Sequence, residues 1–79
     1  MNDLTIGEAV VAGDRAVVPL MRETELAGMG GVLFSGRPVA LIVAEIGSTV
    51  LFRLDTDVPL AEGMVRQATE RAFAALKKN

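Results

Sequence analysis

Two pairs of carboxylates come closest to a catalytic or metal-binding pattern in this chain. Glu23 and Glu25 are two positions apart, as are Asp55 and Asp57. Paired carboxylates can perform acid–base chemistry inside a cleft, whereas Ca²⁺ takes about six to eight oxygen ligands from a denser loop. Asp55 and Asp57 precede Pro59, so a turn followed by a helix cap explains them better. A small acid–base hydrolase is therefore the least favoured function.

The side chains that carry most other enzyme chemistry are missing. The 79 residues include no His, no Cys, no Trp and no Tyr. No imidazole can therefore activate a serine or threonine hydroxyl, and the usual structural zinc sites are excluded. The two lysines, Lys77 and Lys78, stand at the end of the sequence, which makes a Ser–Lys pair implausible. We expect a noncatalytic protein with no catalytic residue, no cofactor and no metal site.

The glycines Gly28, Gly30 and Gly31 form the one cluster that could bring backbone amides close to a ligand. Glycine-rich loops of this kind hold phosphate when a strand precedes and a helix follows. Here the next residues, Val32 to Phe34, favour a strand, and no Lys-Ser/Thr pair follows. A flexible connection is the preferred interpretation. A small-ligand-binding loop built from these three glycines is the alternative.

Charge and hydropathy limit the possible partners. Eight basic and ten acidic residues give a net charge of −2, without a basic cluster that could follow a phosphate backbone. The longest wholly apolar run, residues 39–44, is six residues long, far short of a membrane span. We expect a cytoplasmic protein that binds neither nucleic acid nor membrane, folded as a single domain over residues 1–79.

The first two thirds of the sequence favour β-strands. Residues 4–11 and 15–21 are apolar-rich and flank the turn signal at Gly13, which predicts a hairpin. Pro19 cannot donate to a ladder, so the second of these strands is predicted to lie at an edge or to end there. The mixed segment 22–31 is predicted to be the longest loop.

A second hairpin is predicted further along. Residues 35–38 have the composition of a turn, and the run 39–45 suits a strand buried on both faces. A turn at Gly47 leads into residues 49–54, where Val50 and Phe52 share one face and Leu51 the other.

The last third predicts one amphipathic helix over residues 59–77. Its apolar stripe is formed by residues about four positions apart, namely Leu60, Met64, Ala68, Ala72 and Leu76, widened by Val65 and Phe73. The predicted fold class is α+β: a small antiparallel sheet of four to five strands in two hairpins, with one C-terminal helix on a single face.

The apolar content exceeds what one helix can cover, because 51% of the chain is hydrophobic. A sheet has two faces, and residues 39–44 offer apolar side chains to both. The uncovered face or an exposed strand edge predicts self-association, with another protein as a further possible partner. The candidate core or interface residues are Phe34, Leu41, Val43 and Phe52.

One family has a similar pattern. The segment Ile6-Gly7-Glu8-Ala9-Val10-Val11-Ala12-Gly13-Asp14-Arg15-Ala16-Val17-Val18-Pro19-Leu20 resembles the opening hairpin of the YtfJ-like or GerW family of spore-germination proteins, G-x-x-V-x-x-G-D-x-x-V-x-P-V. Residues 38–43 and 50–54 resemble the strand pair that follows in that family. The resemblance spans residues 5–54 and implies a noncatalytic, β-rich, oligomeric protein.

The chain departs from that family pattern in three places. Its glycine-rich stretch is much reduced, to Gly28, Gly30 and Gly31. Arg53 stands where an apolar residue is expected. The predicted helix after Asp55 has no counterpart in the motif. No site residue is carried over from the family.

Overall fold

The computed structural model describes residues 2–28 and 31–78. They form a five-stranded antiparallel sheet and one helix, which confirms the predicted α+β class. The elements are β1 (Asn2–Ile6), β2 (Val10–Ala12), β3 (Arg15–Gly28), β4 (Gly31–Glu45), β5 (Ser48–Arg53) and α1 (Glu62–Lys77).

Two long strands make the centre of the sheet. β3 pairs with β4 along almost their whole length, and β5 pairs with the other side of β4. β1 and β2 follow one another along the free side of β3, so together they occupy one edge. The sheet is therefore four strand positions wide, with β5 at one edge and the β1–β2 pair at the other.

Both predicted hairpins are present, and a glycine with positive φ makes each turn. Gly13 has φ +62° in the two-residue loop between Ala12 and Arg15, as a type II′ turn requires at its first central position. Gly47 has φ +80° in the loop between β4 and β5. A residue with a Cβ rarely adopts these angles, which is why glycine occupies both positions.

The expectation that Pro19 marks an edge strand is wrong, because β3 is paired on both sides. The Pro19 carbonyl accepts a hydrogen bond of 2.8 Å from the Gly7 amide. The nitrogen and carbonyl of one strand residue point to the same side, so the missing Pro19 N–H faces β1 and β2. The ladder is interrupted there, at residues 7–9, and no donor is needed.

The predicted loop at residues 22–31 and the predicted turn at residues 35–38 are also wrong. β3 continues to Gly28 and β4 starts at Gly31, so residues 22–28 and 31–38 lie on two paired strands, while residues 29 and 30 lie outside the described residues. The irregularity of this pairing is a bulge: Leu20 lies opposite Ala40 and Met21 opposite Pro38, which leaves Val39 as the extra residue. Pairing along the two strands outweighs the local preference of these residues for a turn.

The bulge also ends β5. The Val39 carbonyl accepts two hydrogen bonds, of 2.9 Å from the Leu54 amide and 3.1 Å from the Asp55 amide. The chain then leaves the sheet edge and crosses to one face, where Val58 is buried. Arg53 fixes this crossing with a 2.7 Å hydrogen bond to the Val58 carbonyl.

The helix begins at Glu62, three residues after the predicted start at Pro59. Ala61 is its N-cap and makes no side-chain capping bond, so Asp55 and Asp57 do not cap the helix as expected. The predicted apolar stripe is confirmed. Ala68 and Ala72 are fully buried, and the remaining stripe residues pack partly buried against the core.

The core lies between the helix and one sheet face. Its members are aliphatic, as predicted, and mostly small: Ala16, Val18, Leu20, Val39, Ala40, Ile42, Ala44, Val58, Ala68 and Ala72. Arg71 links the helix to the sheet edge, because its guanidinium donates 3.1 Å hydrogen bonds to the Ile6 and Gly7 carbonyls at the β1–β2 interruption.

Candidate functional site

The two faces of the sheet differ in how far they are covered. Side chains directly opposite each other in an antiparallel ladder point to the same face. Val18, Ile42 and Leu51 therefore share the helix-side face, because Val18 lies opposite Ile42 and Ile42 opposite Leu51. Val18 and Ile42 have no exposed surface at all.

The opposite face, called here the outer face, is apolar from one edge of the sheet to the other. Each of its residues alternates with a helix-side residue along its strand. Its apolar patch comprises Val10, Val17, Pro19, Met21, Leu41, Val43, Val50 and Phe52, and Met21 has Pro38 of β4 and the polar Thr5 of β1 as its cross-strand neighbours. None of these side chains is buried. The expectation that residues 39–45 are buried on both faces is therefore wrong for this side.

Exposure is greatest at the two edges of the outer face. Val10 on β2 is 61% exposed, and Val50 and Phe52 on β5 are 44% and 52% exposed. Leu41 and Val43, in the middle, are half-buried by their neighbours within the sheet. Large apolar side chains at such exposure are unfavourable in water, since removal of apolar surface from water gains about 25 cal/mol per Å².

The outer-face residues form a continuous surface because their cross-strand partners are apolar too. Leu41 lies opposite Pro19 on β3 and opposite Phe52 on β5. Val43 lies likewise opposite Val17 and Val50. Cβ atoms of such pairs are about 4.5–5.5 Å apart, close enough for side-chain contact. The result is one apolar patch with its centre at β4.

A polar boundary closes the outer face at the end where the two tight turns lie. Arg15 and Glu45 form an ion pair with a distance of 3.2 Å, and their side chains are 63% and 41% exposed. Both residues follow the outer-face alternation of β3 and β4. An exposed pair of this kind adds at most about 1 kcal/mol to stability, so its main consequence is to mark where the apolar surface ends.

The structure brings together three of the four candidate interface residues. Leu41 and Phe52 are cross-strand neighbours, and Val43 is two positions from Leu41 on the same face. Phe34 lies farther along β4, opposite Glu25, and its side chain lies outside the described residues. Sequence reasoning missed Val10, Val17, Pro19 and Met21. For the three residues of β3 the available signal was their period-two alternation with the buried Ala16, Val18 and Leu20, whereas Val10 joins them only through the β2–β3 register.

Two of the three glycines of the alternative ligand loop, Gly28 and Gly31, take ordinary strand positions. Gly28 ends β3, Gly31 begins β4, and the two are paired with each other. Gly30 lies outside the described residues. The described backbone here is a hairpin ladder, so at Gly28 and Gly31 it does not form the strand-to-helix turn that holds phosphates.

The carboxylate of Asp55 has a local structural role. Asp55 Oδ2 lies 2.8 Å from Arg37 Nη2, and Asp55 Oδ1 accepts a 3.0 Å hydrogen bond from the Asp57 amide. The second bond is an Asx-turn, which shapes the exit from β5. Within the described residues, no group of three His, Cys, Asp or Glu side chains is placed to hold a metal ion.

A shallow apolar cleft lies at the turn end of the molecule. It has a volume of about 480 Å³ and lies between Gly13 and Gly47 in the two tight turns and Phe73 and Leu76 at the end of the helix. Lys77 and Asp14 form its polar margin. The cleft has no clustered polar groups that would orient a reacting molecule, as the sites of small-molecule enzymes have.

No protein-family model, curated protein or solved structure matches this chain significantly. The resemblance to the GerW family therefore stays a prediction. In the described part of the chain, the single helix is too short and too polar to cross a bilayer.

Proposed function

We propose that this chain is a noncatalytic assembly module that associates with copies of itself through the outer face. The observation that carries the proposal is the contiguous apolar surface of eight residues on the side of the sheet away from the helix. A sheet that packs a helix on one face and nothing on the other normally alternates apolar and polar side chains. Residues 16–21 of β3, 39–44 of β4 and 50–52 of β5 carry apolar side chains on both faces instead.

A second copy is the occupant that the chemistry of the outer face favours. Its centre carries no charge, and its boundary carries Arg15 beside Glu45, so both signs of charge are present at one margin. A two-fold dimer brings the same patch of both subunits together and therefore needs a self-complementary surface. Sheet faces pack about 10 Å apart with interdigitating side chains, and no groove is required.

The size of the outer face sets the strength of this contact. The outer face is four strand positions wide, at about 4.8 Å each, and seven residues long, at about 3.3 Å each. Its area is therefore roughly 440 Å². Two copies together would bury roughly 900 Å², below the ~1,200 Å² at which stable standard interfaces begin. We therefore propose a concentration-dependent association. The GerW resemblance, which implies an oligomeric protein, supports the same proposal.

The test is the molar mass measured by light scattering during size-exclusion chromatography over a tenfold concentration range. We expect the wild-type mass to exceed that of one chain and to rise with concentration. Leu41→Glu places a charge at the centre of the outer face and should lower the mass. Ile46→Glu is the matched control, because Ile46 is 93% exposed in the β4–β5 turn and off the outer face; its mass should equal that of the wild type.

A second variant keeps the test decisive if Leu41→Glu does not fold. Val10 is 61% exposed, so Val10→Glu leaves the packing of the monomer nearly unchanged while it charges the same face. A wild-type mass of one chain at every concentration would contradict the proposal. An unchanged mass in folded Val10→Glu and Leu41→Glu would contradict it as well.

A further inference from the structure

The edge strand β5 exposes apolar side chains on both faces of the sheet. Val50 and Phe52 are 44% and 52% exposed on the outer face, and Leu51 is 38% exposed on the helix-side face. Natural sheets protect their edges with charged residues, proline or bulges. Residues 48–52 of β5 include none of these protections.

β5 also presents unpaired backbone groups. The two-residue turn makes Glu45 and Ser48 a hydrogen-bonded pair, and bonded pairs then alternate along the ladder. Val50 and Phe52 consequently bond β4, while the amides and carbonyls of Thr49, Leu51 and Arg53 point away from it. Within the described residues, no other strand pairs with β5.

We infer that β5 pairs in antiparallel fashion with β5 of a second copy, about a two-fold axis at Leu51. Outward-pointing residues must lie opposite outward-pointing residues for their hydrogen bonds to form. With Leu51 opposite its own counterpart, Thr49 lies opposite Arg53 of the other copy. This register pairs all three outward residues of both strands, and a shift by two positions loses one of them.

The same register makes favourable side-chain pairs. On the outer face, Val50 lies opposite Phe52 of the other copy. Cross-strand pairs of an aromatic and a β-branched residue stabilise sheets. On the helix-side face the two Leu51 side chains meet, and Thr49 faces Arg53. No like charges stand opposite each other, because Arg53, the one charged residue of β5, faces Thr49 and donates to the Val58 carbonyl of its own chain.

This inference rests on the proposed self-association and adds a second surface with different chemistry. The outer face associates by apolar packing, whereas β5 associates through backbone hydrogen bonds. A mutation in one surface therefore leaves the other intact, so the outer-face proposal and the β5 inference can be tested separately.

The first experiment replaces the residue on the axis. Leu51→Pro removes an N–H that points away from β4, so the β4–β5 ladder keeps its hydrogen bonds while pairing with a second copy is blocked. Leu51→Val is the matched control, because it keeps the N–H and a strong strand preference. We expect Leu51→Pro to lower the molar mass about twofold relative to Leu51→Val, as loss of one two-fold contact requires.

The second experiment measures amide hydrogen exchange of the wild type and of Leu41→Glu at low and high concentration. The amides of Thr49, Leu51 and Arg53 should exchange more slowly at high concentration, while those of Val50 and Phe52, already bonded to β4, should change little. The slowing should persist in Leu41→Glu, since that variant charges only the outer face.

Two results would overturn the inference. One is exchange at Thr49, Leu51 and Arg53 that does not depend on concentration. The other is equal mass in folded Leu51→Pro and Leu51→Val. Neither result bears on the outer-face proposal, which is tested by Leu41→Glu and Val10→Glu. If the mass of those two variants is unchanged while the β5 amides are protected, only the outer-face proposal is overturned.

Discussion

At the scale of single residues, the contact between Gly7 and Pro19 explains how a proline fits inside the sheet. The amide of Gly7 bonds the Pro19 carbonyl at 2.8 Å, and the neighbouring backbone leaves the ladder where Pro19 has no donor. The sequence predicts a disturbance at Pro19 but assigns it to an edge. The correct position depends on pairing with β4, which local composition does not report.

Gly7→Ala tests how tight this contact is. A Cβ at Gly7 would lie 2.6 Å from Pro19 Cγ and 3.3 Å from the Pro19 carbonyl oxygen, and a proline ring has little freedom to move. We expect a loss of about 1–3 kcal/mol in the free energy of unfolding, measured by urea denaturation.

Gly63→Ala is the control for that measurement. A Cβ there meets no heavy atom within 4 Å, and Gly63 lies in the helix, where alanine is favoured by up to about 1 kcal/mol. The variant should be as stable as the wild type or more stable. Equal stability of Gly7→Ala and the wild type would show that the β1–β2 interruption relaxes easily.

At the scale of elements, period-two and helical patterns predicted most of the fold. Alternation and glycine turns located the β2–β3 and β4–β5 hairpins, and the spacing of Met64, Ala68 and Ala72 located the helix. The long β3–β4 pairing was missed because residues 22–31 combine charged residues with glycines, which resemble a loop. Pairing over that many positions supplies hydrogen bonds that outweigh weak local preference.

The candidate site was predictable to a similar extent. The run of residues 39–44 indicated apolar side chains on both faces, and the structure places Leu41 and Val43 on the uncovered one. The contribution of Val10 depends on the register between β2 and β3, which a single sequence does not contain.

The helix contact with the sheet gives a prediction at the same scale. Ala68 and Ala72 have no exposed surface, so the helix approaches the sheet through its smallest side chains. Ala72→Leu should push the helix away and reduce the free energy of unfolding by about 1–3 kcal/mol. Ala74→Leu on the exposed side of the same helix should change it by less than about 0.5 kcal/mol. Thermal or urea unfolding compares the two, and similar losses would contradict close packing at Ala72.

At the scale of the whole molecule, the chain is extended for its length. Its radius of gyration is 14.2 Å and its principal extents are 49 × 26 × 18 Å, whereas a compact chain of this length has a radius of about 12 Å. Among the side chains that the structure describes, ten hydrophobic residues are buried between the helix and one sheet face, of which the largest are Leu20 and Ile42. The free energy gained by burying such a small core exceeds the entropy cost of ordering the chain by only a little.

The thermal midpoint should therefore depend on protein concentration. If folded chains associate, a tenfold rise in concentration adds up to about 1.4 kcal/mol to the stability of the folded state. For a domain of this size each kcal/mol raises the midpoint by roughly 4–8 °C. Calorimetry over that range should show the increase for the wild type and a smaller one for Val10→Glu, which keeps β5 as its remaining contact. A midpoint independent of concentration would contradict assembly.

The placement of the outer face and the β5 edge on one sheet determines how an assembly would close. A two-fold axis that pairs β5 with its copy stands perpendicular to the sheet, whereas one that stacks two outer faces lies within the plane between them. These directions are at right angles, as are the axes of the D2 point group. Where the two axes meet, four chains form a finite sandwich of two double-width sheets, with all four helices on the outside and no apolar sheet face left in water.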